Sequence, residues 1–272
     1  MSNPFARAGY RLAAHTPQQL PPDGGFEVAF AGRSNAGKSS ALNALCQQNA
    51  LARVSKTPGR TQQLVFFDVP PHDNRYLVDL PGYGYAKVPR NLQAHWQAFL
   101  AQYFREREAL KGLVVVMDIR HPLKDYDRQM IAFAVEHGMP AHALLTKADK
   151  LGRGAAGNTL QAVRKELQAE YGDKVSVQTF SGESKVGVDE ARSVIARCRR
   201  LDATIADATS SEVGSMSAPT KRQPYSAWPS SGFRAMAWSP AMARSTAGWC
   251  SSSARTSPCS AARCPSATAR RS

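Results

Sequence analysis

The sequence lacks the features of several common protein classes. No apolar run approaches the roughly 18 residues of a membrane-spanning helix, so no membrane segment is predicted. The five cysteines show neither metal-ligand spacing nor a convincing disulfide framework, and we therefore expect a reducing, cytoplasmic location. Acidic residues are scarce, since 21 Asp and Glu face 35 Lys and Arg and leave a formal charge of +14. This excess favours anionic partners, and RNA before a membrane surface.

Composition divides the chain into three parts. Residues 1–25 carry prolines and glycines at short intervals, which predicts an irregular N-terminal arm. Residues 26–203 alternate apolar runs with helix-forming segments and are predicted to form one domain. Residues 204–272 are rich in Ser, Ala, Pro and Arg, without periodicity, and are predicted to be a low-complexity, disordered tail. That stretch is either a basic tail that touches RNA or a frame-shifted sequence, and its scattered tryptophans and cysteines favour the second interpretation.

The alternation predicts an α/β fold with a mostly parallel six-stranded sheet and helices on both faces. The predicted strands are 26–31, 63–69, 75–80, 112–118, 141–146 and 175–180, and the predicted helices are 38–47, 91–109, 124–137, 157–171 and 188–201. Only a short polar segment, 70–74, separates the second and third strands, so they should form a hairpin with one antiparallel edge pairing.

The segment Gly32–Ser40, GRSNAGKSS, matches the phosphate-binding pattern G-x-x-x-x-G-K-S between a predicted strand and a predicted helix. Its glycines allow a tight turn whose N–H groups cradle a β-phosphate at the start of the helix. Lys38 is placed to reach the β- and γ-phosphates, and the Ser39 hydroxyl is placed to bind Mg²⁺. The pattern predicts a P-loop NTPase site.

Two further strand ends carry residues suited to a guanine nucleotide. In Asp79–Gly82, DLPG, the carboxylate can hold a Mg²⁺-bound water, and the Gly82 N–H can meet the γ-phosphate. In Thr146–Asp149, TKAD, the Asp149 carboxylate can accept from guanine N1–H and its exocyclic amine, whereas adenine offers neither donor. The Lys147 stem can pack along the base or ribose, and backbone N–H groups of Phe180–Gly182 can meet guanine O6. These pieces favour GTP over ATP.

The loop 55–62, SKTPGRTQ, offers a second magnesium ligand. A threonine there can bind the ion when the γ-phosphate is present and release it after hydrolysis. We choose Thr61, next to the predicted strand, with Thr57 as the alternative. Four motifs in this order predict a Ras-like GTPase domain.

The motifs TPGRTQ, DLPGYGYAKV, TKAD and FS with KVGVDE resemble the EngB (YihA/YsxC) family of bacterial GTPases over about residues 5–201. The resemblance implies an assembly factor for the large ribosomal subunit and its rRNA, needed for normal cell division and septation. It implies that GTP contacts Gly32, Arg33, Ser34, Asn35, Ala36, Gly37, Lys38, Ser39, Ser40, Gly59, Arg60, Thr61, Gln62, Gln63, Asp79, Leu80, Pro81, Gly82, Thr146, Lys147, Ala148, Asp149, Thr179, Phe180 and Ser181. Mg²⁺ would bind Ser39 and Thr61, with Asp79 behind a water. Gly182 and Glu183 depart from the family, which usually has a second Ser and an apolar residue there.

Hydrolysis is predicted to be slow without an activator. Tyr83 follows Gly82, where Ras-like proteins have a glutamine that orients the attacking water. The catalytic candidates are Lys38, Asn35 and Thr61; counterparts of Asn35 in related GTPases help to bind K⁺, which makes K⁺ a candidate cofactor. We expect the protein to be a monomer. The alternative function is that of a non-ribosomal GTP-dependent switch or scaffold of the division machinery.

Overall fold

The computed structural model describes residues 3–52, 63–71, 73–82 and 90–198. The strands are β1 (Gly9–Ala14), β2 (Phe26–Gly32), β3 (Leu64–Asp68), β4 (Arg75–Asp79), β5 (Leu110–Asp118), β6 (Ala141–Thr146) and β7 (Val175–Thr179). The helices are α1 (Lys38–Cys46), α2 (Arg90–Glu106), α3 (Asp125–Glu136), α4 (Arg153–Tyr171) and α5, which is helical over the described residues 188–198. Each predicted strand and helix of the domain is therefore present within a few residues of its expected bounds.

The seven strands form one sheet in the order β1-β3-β4-β2-β5-β6-β7. The five strands from β4 to β7 in this order are parallel, and β3 joins β4 as the antiparallel hairpin that the short connection predicts. The α/β, mostly parallel architecture is confirmed. The parallel strands end at one edge of the sheet, which brings the predicted motifs together.

The prediction of an irregular N-terminal arm is wrong for Gly9–Ala14, which forms the edge strand β1 and pairs antiparallel with β3. The sheet consequently has seven strands instead of six, with a second antiparallel pairing. The prolines and paired glycines on which the prediction rested lie outside this segment. Ala14 is fully buried, whereas Tyr10 is 64% exposed, so β1 buries little apolar surface and is specified mainly by main-chain pairing with β3.

Helices cover both faces of the sheet, as predicted. One apolar layer combines α2, α3 and α4 with strand residues such as Ala29 and Val115. The other combines α1 and α5 with strand residues such as Val28 and Val114. The alternation of neighbouring strand residues between the two layers follows from the period of two of a β-strand. Among the described helices, none has both the length and the apolar character needed to cross a membrane.

A buried ionic cluster holds the amino end of β2. Glu27 is fully buried and accepts hydrogen bonds from the Tyr103 hydroxyl at 2.7 Å and from Arg107 Nε at 3.0 Å. Asp23 accepts the main-chain N–H groups of Glu108 and Ala109 at 3.0 and 2.8 Å. The carboxyl end of α2 is thereby fastened to the sheet.

His142 lies buried at the start of β6 between two polar side chains. One ring nitrogen is 2.7 Å from the Ser176 hydroxyl, and the other is 2.9 Å from Gln178 Oε1. A neutral imidazole can satisfy both contacts, with Ser176 donating to one nitrogen and the other donating to Gln178. Burial lowers the pKa of His142 to about 4.

Acidification should therefore destabilise the protein through His142. Its pKa in the unfolded chain is about 6.5, so the unfolded chain takes up a proton first as the pH falls. The stabilisation is complete above that pH and is lost as the pH approaches about 4, by about 3 kcal/mol. Urea unfolding at about pH 7 and about pH 4.5 measures this loss. His142→Gln should reduce the pH dependence, whereas His121→Gln, at an exposed position, should retain it. Equal pH dependence in the two variants would contradict the assignment.

Candidate functional site

The predicted phosphate loop runs from the end of β2 into α1, as the sequence pattern requires. Gly37 has a φ of +93°, a conformation that L side chains rarely adopt, and α1 begins at the next residue. Main-chain hydrogen bonds from Ala36 to Arg33 (3.0 Å) and from Ala41 to Gly37 (2.8 Å) close the turn. The loop thus leads directly into the amino end of α1, a position at which helices can bind anions.

Lys38 and Asp79 form an ion pair across the ends of α1 and β4. Lys38 Nζ donates to Asp79 Oδ1, and the two side chains are only 10% and 16% exposed. Beyond Asp79, the main chain of Gly82 approaches the loop closely, since a Cβ there would lie 3.3 Å from the Ser34 nitrogen and Cα. The intervening Leu80 donates its N–H to the Phe30 carbonyl at 3.0 Å, which attaches this segment to β2.

The residues predicted to bind magnesium are oxygen donors of the kind that Mg²⁺ prefers. Ser39 lies in the first turn of α1, directly after the lysine that contacts Asp79. Within the described ranges, no group of three or more His, Cys, Asp and Glu residues could hold a metal by itself. This donor set fits an ion that is shared with nucleotide phosphates, as in other nucleotide sites.

Thr146 and Lys147 connect the end of β6 to the phosphate loop. The Thr146 hydroxyl lies 2.5 Å from the Ala36 carbonyl oxygen and 2.9 Å from that of Met117. Lys147 Nζ donates to the Asn35 carbonyl at 2.6 Å, and its main chain has a positive φ of 59°. The predicted TKAD segment therefore contacts the loop directly.

Asp149 lies beside the loop that follows β7. Its Oδ1 accepts from the Ser181 hydroxyl at 2.6 Å, and its Oδ2 is 3.0 Å from Lys150 Nζ. The hydrogen bond from Ser181, with the contact to Lys150, lowers the pKa of Asp149, so this carboxylate is ionised at neutral pH. The Ala148 N–H donates to the Phe180 carbonyl at 3.1 Å, which joins the two segments predicted to surround the guanine.

Gly182, one of the two residues that differ from the usual pattern of the resembled family, makes a tight contact. A Cβ at this position would lie 3.2 Å from the Ser40 carbonyl oxygen in the first turn of α1. Glu183 is exposed, and its Oε2 lies 3.4 Å from Lys150 Nζ. Gly182 therefore contacts the first turn of α1, whereas Glu183 contacts Lys150, next to Asp149.

Sequence reasoning missed Asp118, the last residue of β5, and its neighbour Arg120. Asp118 Oδ2 is 3.0 Å from Lys147 Nζ, and the Arg120 guanidinium contacts both carboxylate oxygens, at 2.9 and 2.7 Å. The available signal was an acidic residue directly after the apolar run Leu113–Met117, in the strand next to the TKAD strand.

Some predicted residues are not brought into this arrangement. Gly59, Arg60, Thr61 and Gln62, like the alternative Thr57 and Tyr83, lie outside the described residues, so their predicted roles stay predictions. Gln63 is described, and its side chain contacts His15. Thr179 ends β7 and offers its carbonyl to Gln178 Nε2 at 3.3 Å.

The fold and the order of these segments define a P-loop GTPase. A family model described as a 50S ribosome-binding GTPase matches residues 27–147. The fold is shared with a crystal structure of a probable GTP-binding protein EngB, at a TM-score of 0.51 and 20% identity over 64% of this chain and 99% of that one.

Sequence comparison gives the particular family. The chain is 75% identical over 195 residues to the "Probable GTP-binding protein EngB" of Stenotrophomonas maltophilia, covering 72% of this chain and 96% of the relative. It is 70% identical over 202 residues to the protein of the same name from Xanthomonas euvesicatoria, covering 74% and 97%. The chain belongs to the EngB family of GTP-binding proteins.

Replacing the carboxylate of Asp149 should change the base that the protein prefers. Asp149→Asn removes an acceptor for guanine N1–H and the exocyclic amine, so GDP affinity should fall by about 100-fold or more. The Asn amide can instead donate to the 2-carbonyl of xanthine, and XDP affinity should rise relative to GDP. Equilibrium titration with both diphosphates measures the ratio.

The matched control for this change is Asp173→Asn, an aspartate before β7 whose side chain contacts Gln168. It should leave both affinities unchanged. An unchanged GDP-to-XDP ratio in Asp149→Asn would show that this carboxylate does not read the base.

Proposed function

We propose that this protein is a slowly hydrolysing GTPase of the cytoplasm that assists assembly of the large ribosomal subunit and is needed for normal cell division and septation. The observation that carries the proposal is the match of residues 27–147 to the family described as 50S ribosome-binding GTPases. Near-complete coverage of EngB relatives at 70–75% identity supports it. The charge of +14 suits an RNA-rich partner.

In the proposed site, the loop 32–40 cradles the phosphates and Lys38 neutralises the β- and γ-oxygens. Mg²⁺, when bound with GTP, neutralises phosphate charge; Ser39 and Thr61 would hold it, with Asp79 behind a water. Asp149 accepts from the guanine edge, and Ser181 holds that carboxylate in place through its 2.6 Å hydrogen bond.

Slow hydrolysis follows from the residue after Gly82, since Tyr83 has no amide to orient an attacking water. Asn35 supports a role for K⁺ beside the phosphates. Its main chain has a positive φ of 61°, and its carbonyl is engaged by Lys147. The backbone of Asn35 is thereby held beside Lys147, and its exposed side chain could reach an ion next to the phosphates.

Full-length protein should sediment with purified large ribosomal subunits more strongly in the presence of a non-hydrolysable GTP analogue than with GDP. The reason is that the γ-phosphate distinguishes the two nucleotides, and Thr61 and Gly82 are the residues predicted to respond to it. Co-sedimentation at fixed, moderate salt measures the difference, and a monomeric free protein is expected in the same buffer.

The control is Lys38→Ala, which should remove the difference between the nucleotides. Binding that is equal in both nucleotides and disappears at moderate salt would mean that charge alone attracts the protein to RNA. A non-ribosomal switch or scaffold of the division machinery would then be the better assignment.

K⁺ should accelerate GTP hydrolysis relative to Na⁺ at equal ionic strength, because a bound K⁺ can take the place of an arginine finger. Single-turnover hydrolysis by the wild type and by Asn35→Ala measures the effect, and only the wild type should respond. A wild-type rate that is no higher in K⁺ than in Na⁺ would refute this part of the proposal.

A further inference from the structure

Asp118 occupies the strand end next to the TKAD segment. It is the last residue of β5 and stands opposite Thr146 of β6 in the parallel register. Its side chain is 15% exposed, so its carboxylate is largely withdrawn from water. None of the predicted nucleotide motifs includes it.

The carboxylate of Asp118 is held from two sides. Arg120 Nε donates to Oδ1 at 2.9 Å, an Arg120 terminal nitrogen donates to Oδ2 at 2.7 Å, and the Arg120 main-chain N–H adds a third contact at 3.1 Å. Lys147 Nζ lies 3.0 Å from Oδ2. The two-point contact with a guanidinium fixes the orientation of a carboxylate more firmly than an ammonium can.

The side chain of Lys147 is consequently fixed at its far end. Nζ donates to the Asn35 carbonyl at 2.6 Å in addition to its contact with Asp118. A Cβ at Gly37 would be 4.0 Å from Lys147 Cε, so the lysine stem passes over the phosphate loop at that residue. An unrestrained lysine side chain has several rotatable bonds, and the two contacts of Nζ restrict it to one conformation.

We propose that Asp118 is a positioning residue for nucleotide binding: held by Arg120, it fixes Lys147 across the phosphate loop so that the lysine stem flanks the bound guanine nucleotide. Asp118 also supplies the negative charge that keeps the Lys147 ammonium beside Asn35. The inference rests on guanine-nucleotide binding and is independent of the ribosomal partner.

The test is the affinity of full-length Asp118→Asn for GDP and for a non-hydrolysable GTP analogue, measured with fluorescent nucleotides. The asparagine keeps the shape of the side chain but removes its charge and turns an amide N–H group toward one of the two cations. Both nucleotides should bind about tenfold more weakly, mainly through faster dissociation.

A double-mutant cycle distinguishes positioning from a general effect on the fold. If Asp118 acts through Lys147, then adding Asp118→Asn to Lys147→Met should change the affinity by less than about twofold. Glu166→Gln is the matched carboxylate-to-amide control, because Glu166 pairs with Arg128 between α3 and α4 and should leave the affinity unchanged.

Arg120→Met provides a second variant that leaves Asp118 intact, in case Asp118→Asn does not fold. It should weaken nucleotide binding by about threefold, and this loss should vanish in the Lys147→Met background. The proposal is overturned if the variant that folds binds nucleotide as tightly as the wild type. It is also overturned if the variant loses as much affinity in the Lys147→Met background as in the wild type. Ribosomes are not present in these measurements, so failure here leaves the proposed assembly function untouched.

Discussion

The close approach of two neighbouring main chains to the phosphate loop is the constraint on which the site depends. A Cβ at Gly32 would lie 2.8 Å from the Val116 carbonyl oxygen, and a Cβ at Gly82 would lie 3.3 Å from the Ser34 backbone. Neither glycine has a positive φ, so both are required for space and not for conformation. Gly37 is required for conformation, because its φ is +93°. The loop therefore lies between β5 and the DLPG segment, and larger residues at either glycine would displace the N–H groups that are predicted to face a phosphate.

The opposite end of β2 is held by a buried ionic cluster. Glu27 is fully buried and remains tolerable there because Arg107 and Tyr103 satisfy its oxygens. Moving the carboxyl end of α2 would leave this carboxylate unpaired, at a cost of about 3–5 kcal/mol. The strand that carries the phosphate loop is fixed at both ends, and this fixes the position of the loop.

The features that could be predicted from the sequence are those that depend on local residue patterns. Apolar runs and glycine spacing located the strands, the helices and the motif order, because burial and tight turns restrict the residue types at those positions. The edge strand β1 was missed because Gly9–Ala14 buries little and is held by pairing with a distant strand. Asp118 was missed for a similar reason, since the register of β5 against β6 brings its carboxylate to Lys147. Ser181 was predicted for its backbone N–H, yet its hydroxyl contacts Asp149, a side-chain choice that sequence spacing does not determine.

Two of the lysine–carboxylate pairs in the candidate site, Lys38–Asp79 and Lys147–Asp118, differ in their other contacts. Lys38 contacts Asp79 alone among its described ion-pair partners, so phosphate oxygens would compete directly for its ammonium and release Asp79 toward a magnesium-bound water. Asp118 is shared between Lys147 and the two-point contact of Arg120, and Lys147 would serve the nucleotide through its stem. Nucleotide binding would therefore replace the Lys38–Asp79 contact by a contact with phosphate and would preserve the Lys147–Asp118 contact. We therefore expect nucleotide-dependent change on the side of β4 and Asp79–Gly82, and little change at the ends of β5 and β6.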